Sequence, residues 1–119
     1  MMATRNVGAV LGDLKNRIGA LATALVSRDG LVVHAEMPAA SYDDTFAVMC
    51  ATILGAAATA SSEMGQAPPE RIVVEGPGSR LVVVPAGGKA LLVAAVDEST
   101  ELRTVVDEVA RFADLLATN

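Results

Sequence analysis

A glycine-rich loop ahead of a lysine is the pattern that cradles phosphate, and Gly87-Gly88-Lys89 brings these residues together. A Walker loop requires Gly, four residues, then Gly-Lys followed by Ser or Thr at the start of a helix. Here Ala90 and an apolar, strand-like run follow Lys89, and no earlier Gly stands in register. The segment reads as a hairpin turn, which predicts neither nucleotide binding nor hydrolysis. His34 shares a strand face with Val32 and Glu36, so it could serve as a general base, but no nucleophile is placed beside it. It reads as a solvated strand histidine. Cys50 lies in an apolar segment without His or basic neighbours, where a thiol behaves as a small hydrophobe. Asp43-Asp44, Asp97-Glu98 and Asp107-Glu108 read as helix-start or solvated charges. The sequence predicts no catalytic residues, no metal ligands and no cofactor.

The elements that would position any such groups follow from periodicity. Val7, Leu11, Leu14 and Ile18 have helical spacing, with Gly19 placed to end the helix. Leu21 to Val26 reads as a strand, Ser27-Arg28-Asp29-Gly30 as a hairpin turn, and Leu31 to about Met37 as the return strand, ended by Pro38. Ser41-Tyr42-Asp43-Asp44 fits a capping box, so a helix is expected from near Tyr42 to about Met64, with Gly65 as its stop. Three strands follow at Arg71–Glu75, Arg80–Pro85 and Lys89–Val96, joined by tight hairpins. Ala90 to Val96 is apolar without alternation, as a strand covered on both faces requires. Leu102, Val105, Val106, Val109, Ala113 and Leu116 mark a final helix. The order α-β-β-α-β-β-β-α predicts an α/β (α+β) fold: one domain over residues 1–119 with a five-stranded, mainly antiparallel sheet and helices on both faces.

Composition narrows the function. The chain has 119 residues, 52% of them apolar, and only three aromatics. So small a chain cannot bury that much apolar surface alone, which predicts a protein partner. Nine basic residues stand against fourteen acidic ones, net −5. There is no basic stripe and little to stack on bases, which excludes nucleic acid. The acidic balance excludes an anionic membrane surface. Thr45 to Ser62 is eighteen residues without a charge, but Ala, Thr, Ser and Gly fill it, so it reads as a soluble helix rather than a span. One Cys allows no internal disulfide. The N-terminus has no basic-then-apolar signal pattern, and a cytoplasmic location is expected.

The middle helix is informative because of what it lacks. At 100° per residue, Phe46, Met49, Cys50, Ile53, Ala57 and Met64 fall on one side and are expected to face the sheet. Val48, Ala51, Thr52, Gly55, Thr59 and Ser62 fall on the other, and none is charged. A helix without charges on either side is usually buried on both. Gly55 in mid-helix costs about 0.5–1 kcal/mol relative to Ala, so close backbone approach is its expected reason. A homodimer interface is therefore expected at Val48, Ala51, Thr52, Gly55 and Thr59. The Arg71–Glu75 strand follows a long helical excursion and is expected at a sheet edge, where Ile72, Val73 and Val74 would pair with their own copies.

These features together resemble the Roadblock family, which includes the dynein roadblock light chains and the MglB proteins. The resemblance rests on the first hairpin (Ala24-Leu25-Val26-Ser27-Arg28-Asp29-Gly30-Leu31-Val32-Val33), the small-residue helix Phe46 to Met64, and the closing hairpins with Ile72-Val73-Val74-Glu75-Gly76 and Leu91-Leu92-Val93-Ala94-Ala95-Val96. It implies a homodimer in which the long helices pair and the third strands join into one ten-stranded sheet. It also implies a small Ras-like GTPase as partner, regulated without a lent arginine. No Arg or Lys lies between Arg28 and Arg71, in keeping with that. The leading expectation is a non-enzymatic dimeric module that binds and regulates or docks such a GTPase, touching it at Thr52, Thr59, Ser62 and Glu63. The alternatives are a small-molecule sensor of GAF- or profilin-like type, or a structural adaptor without a GTPase partner.

Overall fold

A computed structural model describes residues 6–38 and 43–117. The elements are α1 (Val7–Ile18), β1 (Ala22–Ser27), β2 (Val32–Glu36), α2 (Asp43–Glu63), β3 (Ile72–Gly76), β4 (Ser79–Ala86), β5 (Ala90–Asp97) and α3 (Leu102–Ala117). The expected order holds throughout. The expected cap at Ser41 lies outside the described residues.

The five strands form one sheet in the order β2-β1-β5-β4-β3, and every neighbouring pair is antiparallel. The unalternating strand β5 is central, as its composition requires. On one face α1 and α3 bury Leu11, Leu14, Ile18, Val105, Val109 and Phe112 against Leu25, Val82, Leu92 and Val96. On the other, α2 lays Ala47, Cys50 and Leu54 over Ala24, Val26, Val83, Leu91 and Val93.

Local chemistry fixes the joints. The Asn6 side chain accepts from the Ala9 N–H and caps α1, and Gly19 ends it in the left-handed conformation at φ 63°. The buried Thr23 hydroxyl donates to the Leu11 carbonyl at 3.0 Å and ties β1 to α1. Gly30, at φ 87°, lets the β1–β2 turn reach α2; a Cβ there would stand 3.2 Å from the Val48 Cα.

The two sheet edges differ. Leu25 pairs with His34 and Val26 with Val32, so Val33 is an extra residue bulging from β2. β3 keeps unbroken register with β4 from Ile72 opposite Val83 to Gly76 opposite Ser79. The third-to-last strand lies at an edge, as the sequence suggested.

The charge on α3 is more than solvation. Glu108 accepts from Arg17 of α1 at 2.9 Å and from Arg111 at 2.9 Å, stapling the two helices. The Arg111 hydrogen bond, then that of Arg17, lowers the Glu108 pKa from 4.5 to about 2. A carboxyl held low in the folded state stabilises above its ordinary pKa, and that stability is lost as pH falls toward the folded value. Glu108→Gln is expected to melt below the wild type at pH 7. The gap should close between about pH 4.5 and 2, followed by circular dichroism; an unchanged gap at pH 2 would contradict the staple.

Candidate functional site

The candidate site is built from α2 and the open edge at β3. Asp43 and Asp44 stand in the first turn of α2, where carboxylates suit the helix N-terminus. The helix then runs to Glu63 without a further charge. Among the described residues it is the helix long and apolar enough to cross a membrane, and only 17% of its apolar window is buried. Most of that surface stands uncovered in the single chain.

The rotation of α2 departs from the sequence expectation. Its buried residues are Ala47, Cys50 and Leu54, a face turned by about 75° from the one expected at 100° per residue. Bulk was expected inward, but two of the three buried residues, Ala47 and Cys50, are small, with Leu54 the one large side chain among them. Met49 and Met64 were expected against the sheet and instead stand 50% and 73% exposed. Ala51, expected on the outer side, is partly buried against the α2-side cluster. The outward face carries Val48, Thr52, Gly55, Ala56, Thr59, Ser62 and Glu63, all exposed. Sequence reasoning missed Met49 and Ala56 on this face. The signal was the run of small residues at 47, 50 and 51, which read equally well as an outer seam.

Thr52 spends its hydroxyl proton on the Val48 carbonyl at 2.8 Å, leaving its oxygen to accept. Gly55 has open space where a Cβ would stand. Cys50 sits under the helix, where burial pushes its thiol up to about 11, so it is not a nucleophile at neutral pH.

At β3, Ile72 joins the α2-side cluster and Val73 the α1/α3-side cluster, while Val74 is exposed. Ile72 and Val74 thus share the sheet face that α2 covers. On the other sheet face, a cleft of about 430 Å³ lies between β3 and α3, lined by Arg71, Val73, Leu102, Arg103, Val106 and Asp107.

His34 differs from a freely solvated strand residue. Its Nε2 lies 2.6 Å from Glu36 Oε2, and a Cβ on Gly8 would stand 3.0 Å from its ring. It packs under the start of α1 as a paired side chain. No group of His, Cys, Asp and Glu among the described residues is placed to hold a metal ion.

Comparison with known proteins decides the family. The Roadblock/LC7 domain profile matches residues 6–95. The chain belongs to the Roadblock/LC7 family. This Roadblock/LC7 chain is 28% identical over 113 residues to the uncharacterized protein MJ0714 of Methanocaldococcus jannaschii, covering 95% of each chain. Two further chains of that organism, MJ0310 and MJ1340, match at 27% and 26% over 108 residues, covering 91% of this chain and 94% of theirs. Among solved structures, an MglB with a tetrameric arrangement superposes with TM-score 0.86 at 30% identity, covering 93% of this chain and 85% of that one. The gliding protein MglB of Thermus thermophilus superposes with TM-score 0.85 at 29% identity, with the same coverage.

Proposed function

We propose that this Roadblock/LC7 chain is a homodimeric module, without an active site of its own, that binds and regulates or docks a small Ras-like GTPase. The observation that carries this reading is the long, uncovered face of α2, free of charge from Thr45 to Ser62, over a sheet that also has an unbulged edge strand. A helix with no charge on either side calls for a second protein surface. Of the two sheet edges, β3 is the one whose regular ladder can accept another strand, because the bulge at Val33 disrupts β2. A second copy laid there would cover Val48, Thr52, Gly55 and Thr59 on α2, with Ile72, Val73 and Val74 on β3, and Ala51 at the inner margin.

The GTPase part of the reading rests on the likeness to MglB and on the regulatory character of the Roadblock family. Such a dimer would present a shallow platform with a polar rim at Ser62 and Glu63, bordered by Thr52 and Thr59 where they run into the covered seam. Arg28 and Arg71 bound a stretch without any Arg or Lys, so α2 has no arginine to lend to a phosphate. Regulation would then work by shaping the partner rather than by entering its nucleotide site.

The test is capture of a Ras-like GTPase from native lysate, loaded with a GTP analogue or with GDP and identified by mass spectrometry. The wild type should retain the GTPase in one nucleotide state more than in the other. Glu63→Arg, with its dimer intact by light scattering, should lose at least about tenfold in capture, equal to roughly 1.4 kcal/mol. Arg111→Glu, on the opposite sheet face, should retain it. A wild type that holds no GTPase in either state would end this reading, and loss confined to Arg111→Glu would reverse the assignment of faces.

A further inference from the structure

Three chains similar to this one occur together in one organism, Methanocaldococcus jannaschii. Where several such sheets share a cell, an open edge strand must distinguish its own copy from its relatives. β3 and the residue just before it, Arg71, carry groups able to do so. Arg71 and Val73 line the same cleft on the α3 side. Glu75 lies on that side too, two residues beyond Val73, and accepts from the Arg80 guanidinium at 3.1 Å with more than half of its side chain exposed. The Arg71 side chain makes no hydrogen bond or ion pair with any described residue. Ile72 and Val74 lie on the α2 side.

We infer that β3 recognises a second copy of this chain in a register centred on Val73, with Arg71 and Glu75 as the self-recognition code. The inference rests on the homodimer reading and adds the register and the ion pairs to it. Two strands related by a two-fold axis run antiparallel, and residues directly opposite each other share a sheet face. That leaves centres at Ile72, Val73 or Val74. Centred on Ile72, Arg71 faces the partner's Val73 and Glu70 faces the partner's Val74. Centred on Val74, Glu75 faces the partner's Val73 and Ile72 faces the partner's Gly76. Both arrangements set a charge against a valine. Centred on Val73, Arg71 faces the partner's Glu75 twice over, Val73 meets its own copy, and Ile72 meets the partner's Val74. Only this register pairs opposite charges and leaves every apolar residue against another. Glu75 can hold Arg80 and the partner's Arg71 together, since a carboxylate accepts several donors.

A charge exchange tests the code. Arg71→Glu sets acid against acid in its own dimer, and Glu75→Arg sets base against base. Each single variant should raise the dimer dissociation constant about thirtyfold, from two cross-strand pairs turned repulsive. An equimolar mixture should restore association to near the wild-type value. In the mixed dimer, positions 71 and 75 are both acidic on one chain and both basic on the other, so each cross-strand pair is again complementary. The rescue should weaken at 1 M salt, where the screening length falls to about 3 Å. Single variants that dimerise like the wild type, or a mixture no tighter than its parts, would overturn the register. A second readout leaves the charges intact: Val73→Cys should form a disulfide-linked dimer on oxidation and Val74→Cys should not, with native Cys50 buried and inert. Cross-linking through Val74→Cys alone would likewise overturn it. A wild type that stays monomeric fails the homodimer reading itself, which is a separate result.

Discussion

Ala56→Arg and Gly55→Arg are each expected to convert a particle near 24 kDa, twice the 12.1 kDa chain, into one near 12 kDa by light scattering. Both positions are exposed in the single chain, and a Gly55 Cβ would stand in open space beyond its own helix backbone. An arginine at either site therefore meets no obstacle within the protomer. At Gly55 it even removes a helix penalty of up to about 1 kcal/mol. Folding and association are thus separable: circular dichroism should be unchanged while self-association falls. Burying an unpaired charge in a helix–helix contact costs several kcal/mol. At least about a hundredfold weaker association follows, since 1.4 kcal/mol is roughly tenfold. A variant that associates as tightly as the wild type would remove α2 from the interface.

Leu92→Ala is expected to give the largest loss of stability from a single truncation. Leu92 is fully buried on the central strand β5, in the cluster beneath α1 and α3. Truncating such a leucine costs about 2–5 kcal/mol, transfer and cavity terms together. The whole stability of a domain this size is about 5–15 kcal/mol, so the midpoint of thermal unfolding should drop by about 10 °C or more. Leu31→Ala is the control. Leu31 is 68% exposed, and its truncation should stay within about 0.5 kcal/mol. Equal losses at the two positions would contradict the placement of the core.

The fold was legible because its signals are local. Gly19, Gly30 and Gly78 stand at turns that demand positive φ, and each was visible as a breaker between periodic runs. The apolar run of β5 has one structural solution, a strand covered on both faces, and it lies in the middle of the sheet. The edge position of β3 followed from the helical excursion before it. What sequence could not provide was the rotation of α2. A helix with alanine, cysteine, threonine and methionine all round has a weak apolar stripe, so bulk became the only guide. Bulk misled in part: Met49 stands exposed while Ala47 is buried, whereas Phe46 does pack against the α2-side cluster, beside the buried Cys50 and Leu54. The pairing of His34 with Glu36 was also hidden: the shared strand face was visible, but its cover by Gly8 of α1 is a tertiary contact.

The extra residue in β2 has a consequence for how far assembly can proceed. A sheet with two usable rims can recruit protomers at both, and nothing then halts growth before a fibre forms. In the proposed pair, both β3 rims are consumed at the centre, and the two outward rims are β2 and its copy. Each carries Val33 out of line, so an incoming strand finds N–H and C=O groups that no longer alternate in step. In the proposed pair one inserted valine would thus act as an end-stop at either side of the particle and keep a strongly apolar chain from polymerising.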